Sequence, residues 1–497
     1  MAHVVIIGGG VSGLSAGIYS ALAGHSVTVC EKNGVAGGNL VGWQRGNYHI
    51  DNCIHWLTGT NPKSATYKMW EELGALGGVP LIERNSLFTC EHEGKTITLY
   101  TDLERTEREM LEASPRDARQ TRELMRAVRA LQALMGISER GRDFKSYLVA
   151  PILFKYYSMT TGQLAARFKS PLLQKFVISF FGESFGSLAV ILVFAHFTAE
   201  NGGIPEGGSA AMAERMTERF RSLGGELILG KSVVKLLFDG SRAEAVLLDG
   251  EERITGDYFV IATEPHAAFG KLLDLPLPRR LASELANKRL MRFSSFHCAF
   301  ACSTDNIPFE EDRIIEVPEE YRRILGSSTL FIREFSSEPS YAPEGKCVIQ
   351  ALIFCDEESA GEFIRLRAED RYEYRRLKDK LSLTCEYLIG ERFPELRGKI
   401  KIIDSWTPAT YHRYTGSVTG SYMAYVLPEK YLPRRIPPKV EGAENLFIAT
   451  QWQSLPGGLP NAAYAGKCAA DTIAEAERRR ARKAYGNQRL KVANQRS

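Results

Sequence analysis

The apolar and polar positions at the start of the chain predict a strand, a glycine-rich turn, a helix and a second strand. Residues 3–8 form a short run rich in β-branched side chains, which is typical of a buried strand. Apolar side chains then recur at helical spacing from Val11 to Leu22, and residues 26–30 return to a strand pattern that ends at Glu31. The chain is therefore expected to open with a parallel strand–helix–strand unit.

The turn of this unit reads Gly8-Gly9-Gly10-Val11-Ser12-Gly13, and together with the acid after the second strand it has the order of a dinucleotide-binding unit. Gly8 permits a tight turn, Gly10 lets backbone approach a pyrophosphate, and Gly13 lets helix and strand pack closely. The helix N-terminus offers unpaired N–H groups and the positive end of its dipole to phosphates. The predicted nucleotide site comprises Gly8, Gly10, Val11, Ser12, Gly13 and Glu31, with Glu31 accepting hydrogen bonds from the adenosine ribose.

Residues 61–200 change to a helical pattern, with a long amphipathic stretch at residues 114–135. Residues 144–199 are rich in aromatic side chains, Phe144 and Tyr147 among them. One interpretation of these aromatic residues is a helical core. The other is a tunnel, or a surface that dips into a membrane, for an apolar substrate.

Strands and helices alternate again after the glycine-rich segment 201–208. The pattern predicts a helix at 209–223, strands at 226–229, 232–237, 243–248 and 257–263, and a hairpin turn at Asp249-Gly250. Farther along it predicts strands at 294–302, 346–355 and 400–406, one charged helix at about 358–392, and a last strand at 445–449. A glycine-rich loop then precedes a closing helix that is expected to open at Asn461.

The predicted fold is therefore of the α/β class: a Rossmann-type nucleotide-binding domain, discontinuous in sequence, with an inserted α+β substrate domain. The nucleotide-binding domain is expected to comprise residues 1–60, 201–275 and 435–476. The substrate domain, with its helical region, is expected at 61–200 and 276–434, and a basic tail at 477–497.

Composition narrows the class of protein. Hydrophobic residues make up 44% of the chain and charged residues 25%, which is ordinary for a soluble globular protein. The nine cysteines show no CxxC or Cys/His spacing, so neither a metal site nor a disulfide framework is predicted, and a reducing cytosol fits best. We expect no signal peptide, because the first strand begins at once. Nothing favours binding to nucleic acid.

The charge of the chain is skewed toward its end. Residues 474–497 carry a net charge of +6, whereas the whole chain carries +4. One interpretation of this basic tail is a solvated helix end. The other is peripheral contact with an anionic membrane surface.

Four separated pieces of the chain together resemble one family. They are the glycine turn with Glu31, the doublet Gly37-Gly38, the strand 258–263 and the loop Gly457-Gly458-Leu459-Pro460. They are similar to the FAD-dependent phytoene desaturase, carotenoid isomerase and retinol saturase family of amine oxidase-like flavoproteins. Residues 48–56 look like the isomerase and saturase branch, except that Cys53 stands where glycine is usual. Gln451 stands where many flavoproteins carry an aspartate.

The resemblance implies an FAD site. The closing helix would aim its N–H groups at the N1–C2=O edge of the flavin, where they stabilise negative charge. Val234 would contact the adenine through its backbone. Besides the residues of the first unit, the cofactor site is expected to include Lys32, Gly37, Gly38, Asn39, Val234, Thr263, Gln451, Gly458, Leu459 and Asn461.

Three residues are candidates for catalysis, each weighed against a structural role. His55 follows the stretch where the family pattern approaches the flavin, Tyr411 comes from the returning substrate domain together with His412 and Arg413, and Trp452 precedes the glycine loop. The Cys53 thiol is interpreted as reactive or as a small buried hydrophobe.

The predicted function is that of an FAD-dependent oxidoreductase. The resemblance implies a long apolar unsaturated substrate, such as a polyene, a carotenoid-like molecule or another lipid. Hydride exchange with the flavin would give desaturation, saturation or cis–trans isomerisation. Two alternatives remain: an amine or porphyrinogen oxidase, and a non-enzymatic lipid-binding escort on the same fold. The expected location is cytoplasmic, with peripheral membrane contact left open.

Overall fold

The computed structural model describes residues 1–82, 84–137, 150–292, 294–310, 312–432, 434 and 436–494, with residues 150 and 483–494 described by their backbone alone. The strands are β1 (His3–Ile7), β2 (Ser26–Glu31), β3 (Gly42–Arg45), β4 (Tyr48–Asp51), β5 (Leu81–Ile82), β6 (Ser86–His92), β7 (Lys95–Tyr100), β8 (Ile204–Pro205), β9 (Glu226–Leu229), β10 (Val233–Asp239), β11 (Arg242–Leu248), β12 (Arg253–Thr255), β13 (Tyr258–Ile261), β14 (Ser294–Ser303), β15 (Arg313–Glu316), β16 (Thr329–Glu334), β17 (Lys346–Cys355), β18 (Lys401–Trp406) and β19 (Leu446–Ile448).

The α-helices are α1 (Val11–Leu22), α2 (Ala65–Glu72), α3 (Leu103–Ala113), α4 (Ala118–Met135), α5 (Ala150–Tyr157), α6 (Thr161–Ala165), α7 (Pro171–Ile178), α8 (Leu188–Phe197), α9 (Gly208–Ser222), α10 (Pro265–Lys271), α11 (Arg279–Leu285), α12 (Glu319–Leu325), α13 (Glu357–Glu369), α14 (Arg371–Arg392), α15 (Pro408–Thr415) and α16 (Leu459–Asn494).

A five-stranded parallel sheet in the order β19-β13-β1-β2-β9 confirms the predicted α/β class. Three separate stretches of the chain supply its strands. Val4 and Ile6 of β1 face the core that α1, α9 and α16 share, whereas Val5 and Ile7 face a second core with β10 and β11. Because both faces of β1 are buried, the strand is a continuous apolar run rather than an alternating one.

A seven-stranded sheet in the order β18-β14-β17-β16-β15-β6-β7 combines strands from both predicted insertions. Its pairs are antiparallel except for β15 with β6. One face packs against α13 and α14, with Phe296, Ile349 and Leu388 in the core between them. The opposite face turns toward the helical region of α4, α7 and α8, where Phe88 packs on Phe176.

The cores cross the expected domain boundaries at two places. Trp70 and Leu76, at and just beyond α2, pack in the core of the parallel sheet although residues 61–200 were expected in the substrate domain. Leu281 and Leu285 of α11 pack beneath the same sheet although they lie beyond residue 275. The reason is that α2 and α11 are short helices, each of which packs an apolar face against the parallel sheet.

Two predicted helices differ from the structure. The charged helix expected at 358–392 is interrupted at Asp370, whose side chain accepts hydrogen bonds from the N–H groups of Tyr372 and Glu373 and so caps α14. The closing helix begins at Leu459 rather than Asn461 and continues through the basic tail to Asn494. Phe144, Tyr147 and Arg496 lie outside the described residues.

Two absences concern the described residues alone. No helix among them combines the length and the apolar character that crossing a bilayer requires. The same residues hold no group of three or more His, Cys, Asp or Glu side chains arranged to bind a metal ion.

Candidate functional site

A cavity of about 880 Å³ is lined by residues of both sheets and of the helical region. One part is lined by glycine turns of the parallel sheet, and another by large apolar side chains that face it from the seven-stranded sheet and from α8. The apolar part is lined by Trp56, Leu87, Phe180, Phe181, Phe185, Leu192, Val193, Phe331, Leu352 and Phe354. The volume and the mostly apolar wall are those of a small-molecule site.

The turn between β1 and α1 forms one wall of the cavity. Gly10, Val11 and Ser12 line it, and no side chain among the described residues caps the first turn of α1. Gly13 does not line the cavity but lies behind this wall. Glycine is needed there, because a Cβ atom would stand 1.9 Å from the carbonyl oxygen of Gly8. The N–H groups and the positive dipole end of α1 are thereby available to an anionic group.

The end of β2 forms the neighbouring wall. Glu31 is buried, and its Oε2 accepts the N–H of Gly9 at 2.7 Å while its Oε1 accepts the N–H of Asn33 at 2.8 Å. Lys32 lines the cavity as well, and its Nζ donates to the carbonyl oxygen of Arg413 at 3.0 Å. Burial lowers the pKa of Lys32. The two hydrogen bonds of Glu31 therefore fix its carboxylate against the glycine turn, as a ribose-binding acid requires.

The predicted backbone contact of Val234 with the adenine stays a prediction. Ser232 and Val233 line the cavity, whereas Val234 does not, and its side chain is 44% exposed. The cause is a register shift in the pairing of β10 with β11 between Val233 and Lys235. Such a bulge turns the intervening side chain away from the sheet face that its neighbours occupy.

The doublet Gly37-Gly38 passes close to the first glycine turn. The N–H of Gly37 donates to the carbonyl oxygen of Gly9 at 2.8 Å, and Gly37 adopts a φ of +119° that favours glycine. Asn39 lines the cavity next to the doublet and donates from Nδ2 to the carbonyl oxygen of Tyr422 at 3.0 Å. The two glycine segments therefore form one continuous backbone surface.

The N-terminus of α16 reaches the same cavity. Gly458, Leu459 and Asn461 line it, as Trp452 does from the preceding turn. Gln451 Oε1 accepts the N–H of Gly458 at 3.0 Å and so fixes the loop. The first turns of α16 and α1 are tied together where Ser15 Oγ donates to the carbonyl oxygen of Ala463 at 2.6 Å. Two helix N-termini thus converge on one cavity.

These walls fit FAD. The uncapped N-terminus of α1 suits a pyrophosphate, and Thr263 Oγ1 is buried at the cavity wall without a hydrogen-bond partner among the described residues. An acceptor atom of the bound cofactor would give this hydroxyl a hydrogen-bond partner. The N-terminus of α16 would supply N–H groups that stabilise negative charge on the ring system.

His55 lines the cavity between its glycine part and its apolar part. Its Nε2 is buried and without a partner among the described residues, and the ring stacks on His297 with 6.4 Å between centroids. Burial, followed by the positive charge of Arg333, lowers the pKa of His55 to about 4. The imidazole is therefore neutral near pH 7, with a nitrogen that has no hydrogen-bond partner among the described residues. Cys53 also lines the cavity, and burial raises the pKa of its thiol to about 12, which keeps it protonated.

Tyr411, predicted as a candidate that faces the flavin, stands apart from the cavity lining. Tyr411 does not line the cavity but lies behind it, where its hydroxyl donates to Asn52 Oδ1 at 3.0 Å and is 3.2 Å from His297 Nε2. Trp406 Nε1 donates to the same Asn52 oxygen at 2.8 Å. These side chains are all buried, and α15 packs against α13 and β14. Tyr422, whose ring is 6.0 Å from that of Tyr411, lines the cavity instead.

The neighbours of Tyr411 also lie away from the expected position. His412 Nδ1 hydrogen-bonds the carbonyl oxygen of Ser417 at 2.8 Å, and the backbone of Arg413 contacts Lys32. The end of α15 therefore meets the cavity beside the acidic end of β2, through the lining residues Tyr414 to Ser417.

Sequence reasoning missed a polar group on the seven-stranded sheet. Arg333, Gln350 and Asp312 line the cavity among apolar side chains. Arg333 on β16 is the register partner of Gln350 on β17, so both side chains lie on one face. The signal in the sequence was Arg333 within the mainly apolar segment 330–335. Burying a charge there costs free energy unless a partner or ligand compensates it.

Comparisons with known proteins agree with this geometry. The model of the flavin containing amine oxidoreductase family matches residues 11–474. A 4,4'-diaponeurosporene oxygenase of Staphylococcus aureus is 22% identical over 95% of this chain and 98% of its own. A phytoene dehydrogenase of Streptomyces griseus is 26% identical over 95% of each chain. The solved structure of an oxidoreductase from Methanosarcina mazei covers 95% of this chain and 100% of its own with a TM-score of 0.61 and 15% identity, which shows the fold alone.

Proposed function

Because the chain belongs to the flavin containing amine oxidoreductase family and is an FAD-dependent oxidoreductase, we propose that it acts on a long, apolar, unsaturated substrate of the polyene class. The shared reaction step is hydride exchange between a substrate carbon and the flavin. That step is common to desaturation, saturation and redox-assisted cis–trans isomerisation. The names of the two curated relatives, an oxygenase of diaponeurosporene and a dehydrogenase of phytoene, support this substrate class.

One observation carries the proposal: the glycine-lined part and the apolar part belong to a single cavity. Phe180 and Phe331 face each other in the apolar part with 5.9 Å between ring centroids, and Phe354 packs on Phe331 at 5.2 Å. Side chains of this kind bind a hydrocarbon by removing its surface from water, at about 25 cal/mol per Å². A flat, conjugated chain therefore fits beside the cofactor without a polar anchor along its length.

The cofactor supplies hydride acceptance and return when it is bound. The residues of the chain hold and orient the two molecules. The N-terminus of α1, Thr263 and Glu31 would bind the phosphates and the ribose, and the loop fixed by Gln451 would hold the ring system through the N-terminus of α16. The aromatic wall excludes water from the reacting carbons. Neutral His55 offers an uncharged nitrogen beside them.

The two alternatives are less well supported. An amine oxidase site would meet a protonated amine, and Arg333 in the cavity wall repels a cation. The carboxylate of Asp312 is engaged with Arg84, whose Nη2 donates to Asp312 Oδ1 at 2.9 Å. A lipid-binding escort would need no intact phosphate wall, whereas here the wall is complete.

The substrate proposal is tested by binding. Conjugated polyenes of increasing length and primary amines are added to the FAD-loaded protein, and the change in the flavin spectrum is titrated. We expect polyene affinity to rise with length and amines to bind weakly. Flavin perturbation by amines but not by polyenes would contradict the proposal.

Ala189 on α8 offers the matching variant, because it lines the apolar part of the cavity and is buried. Ala189→Leu fills space that the substrate occupies, so we expect long polyenes to bind about tenfold more weakly or worse while FAD is retained. Val190→Ile is the control, since Val190 follows on the same helix but packs in the helical core away from the cavity. Equal loss in both variants would indicate general damage to α8.

We also propose that the protein contacts membranes peripherally next to this cavity. Phe154 and Leu432 are 72% and 74% exposed. Their segments adjoin, because the N–H of Lys430 donates to the carbonyl oxygen of Tyr157 at 2.8 Å, and Leu427 in the same loop lines the cavity. An apolar substrate would thereby pass from lipid to cavity without crossing water.

Flotation with vesicles of anionic phospholipid tests this contact. We expect the protein to float with the vesicles and the variant Phe154→Asp/Leu432→Asp to remain behind. Tyr372→Asp is the control, because Tyr372 is 75% exposed but lies on α14. Equal flotation of all three proteins would refute the proposed surface.

A further inference from the structure

Arg333 is a buried cation with unused hydrogen-bond donors. Its side chain is 8% exposed, it stands in β16, and its guanidinium lies over the ring of Phe335, just beyond the strand, 4.7 Å from the centroid. Nη1 donates to the carbonyl oxygen of Ile54 at 2.9 Å, and Nε is buried without a hydrogen-bond partner among the described residues. A guanidinium offers five N–H donors, so most of them have no acceptor in the described part of the chain.

The nearby carboxylate forms an ion pair with this cation but no hydrogen bond. Asp312 Oδ1 lies 3.8 Å from Arg333 Nε, too far for a hydrogen bond, and the same oxygen accepts from Arg84 Nη2 at 2.9 Å. The other acid in the neighbourhood is Asp51, which already accepts from Ser209 N–H, Ser209 Oγ and Tyr341 Oη at 2.6–2.8 Å. Asp312 and Asp51 thus balance the charges of Arg333 and Arg84 but leave most N–H donors of Arg333 without an acceptor, a state that costs free energy unless a ligand supplies one.

The position of Arg333 gives the direction of such a ligand. Phe331, two residues before it on the same strand, lies about 7 Å away along β16 and packs on Phe180 of the apolar part. Ile54, the backbone partner of Arg333, precedes His55, whose Nε2 is also buried without a partner among the described residues. The cavity wall thus holds two polar groups, Arg333 and His55, each with a buried nitrogen that has no hydrogen-bond partner among the described residues.

We propose that the substrate is an unsaturated chain with a carboxylate at one end, which Arg333 binds, while its hydrocarbon part lies along Phe331 toward Phe180 and Phe185. The guanidinium matches a carboxylate with two parallel N–H···O bonds. This inference rests on the proposed function, because it gives a polar end to the apolar substrate proposed above. It also explains why an arginine stands in a wall that is otherwise apolar.

The test compares an acid with its own ester. Parinaric acid, a fluorescent conjugated fatty acid, and its methyl ester are titrated against the FAD-loaded protein through the change in their fluorescence. We expect the acid to bind about tenfold more tightly than the ester or better. In Arg333→Gln we expect this preference to disappear, and in Arg333→Lys to remain in part, because an ammonium keeps the charge without the fork.

Arg365→Gln is the matched control, since Arg365 is an exposed arginine on α13 whose partners are Glu362 and Glu369. FAD content is measured in every variant, and the comparison of acid with ester in the unaltered protein does not depend on the folding of any variant. Equal binding of acid and ester, or a preference that survives Arg333→Gln, would overturn the carboxylate inference and leave the proposed function standing. Binding of neither molecule would contradict the proposed function itself.

Discussion

Replacing Gly13 with alanine is expected to give a protein that retains little or no FAD. A Cβ at this position would stand 1.9 Å from the carbonyl oxygen of Gly8 and 3.2 Å from Ala262 Cβ. Both neighbours belong to the strand ends that hold the glycine turn, so the turn itself must move. Displacement of α1 from β1 would remove its N–H groups from the position of the pyrophosphate.

The expected loss of stability in Gly13→Ala is opposite in sign to the change that helix propensity alone would cause. Within a helix alanine is favoured over glycine by about 1 kcal/mol, so any loss of stability in Gly13→Ala arises from the clash. Gly361→Ala is the control, because Gly361 lies in α13 with nothing within 4 Å of the added Cβ. Flavin absorbance per chain and thermal unfolding are measured for both variants. Full FAD content in Gly13→Ala would contradict the assignment of this turn.

Replacing Asp51 with alanine is expected to lower the free energy of unfolding by about 3–5 kcal/mol. The side chain is buried and joins three parts of the chain. Its oxygens accept from the N–H groups of Cys53 and Ile54 at 3.0 and 3.3 Å, from Ser209 at the start of α9, and from Tyr341 Oη at 2.8 Å. Alanine would leave the donors on Cys53, Ser209 and Tyr341 buried without this acceptor, whereas the N–H of Ile54 keeps Ser209 Oγ at 2.9 Å.

The variant Asp51→Asn removes the negative charge of the side chain but keeps its shape. The amide keeps one acceptor oxygen but turns an N–H₂ group toward donors, so we expect a smaller loss than for alanine. The exposed Asp379 on α14 provides the control Asp379→Ala, which is expected to change stability by about 0.5 kcal/mol or less. Urea unfolding of the three variants gives the values. A cost below about 1 kcal/mol for Asp51→Ala would show that this network does not hold the loop before His55.

The parallel sheet was predictable because its information is local. The first strand–helix–strand unit contains a β-branched run, the glycine turn and Glu31 close together in sequence. Each of these features indicates one specific part of the unit. The strand β17 was also predicted at its observed bounds, since residues 346–355 are mostly apolar, with Lys346 at the start and Gln350 inside the run. The break at Asp370 was less visible, because one capping aspartate competes with helical periodicity on both sides.

The position of site residues that depend on tertiary pairing was not predictable. Tyr411 stands in a polar and aromatic segment, but the packing of α15 on β14 decides that its hydroxyl meets Asn52 rather than the cavity. Arg333 reaches the cavity only because β16 pairs with β17 in one register. A shift of one residue would place its side chain in the opposite core. The pattern of one strand cannot encode that choice.

The most direct test of the central account is an anaerobic reaction of the FAD-loaded protein with a conjugated polyene acid. Oxidised and reduced protein are each mixed with the substrate, the flavin absorbance is followed, and the products are identified by mass. We expect a redox change of the flavin matched by a change in the double bonds of the polyene, slowed by Ala189→Leu and by Arg333→Gln. An unchanged flavin and unchanged polyene in both redox states, with bound FAD confirmed, would contradict it.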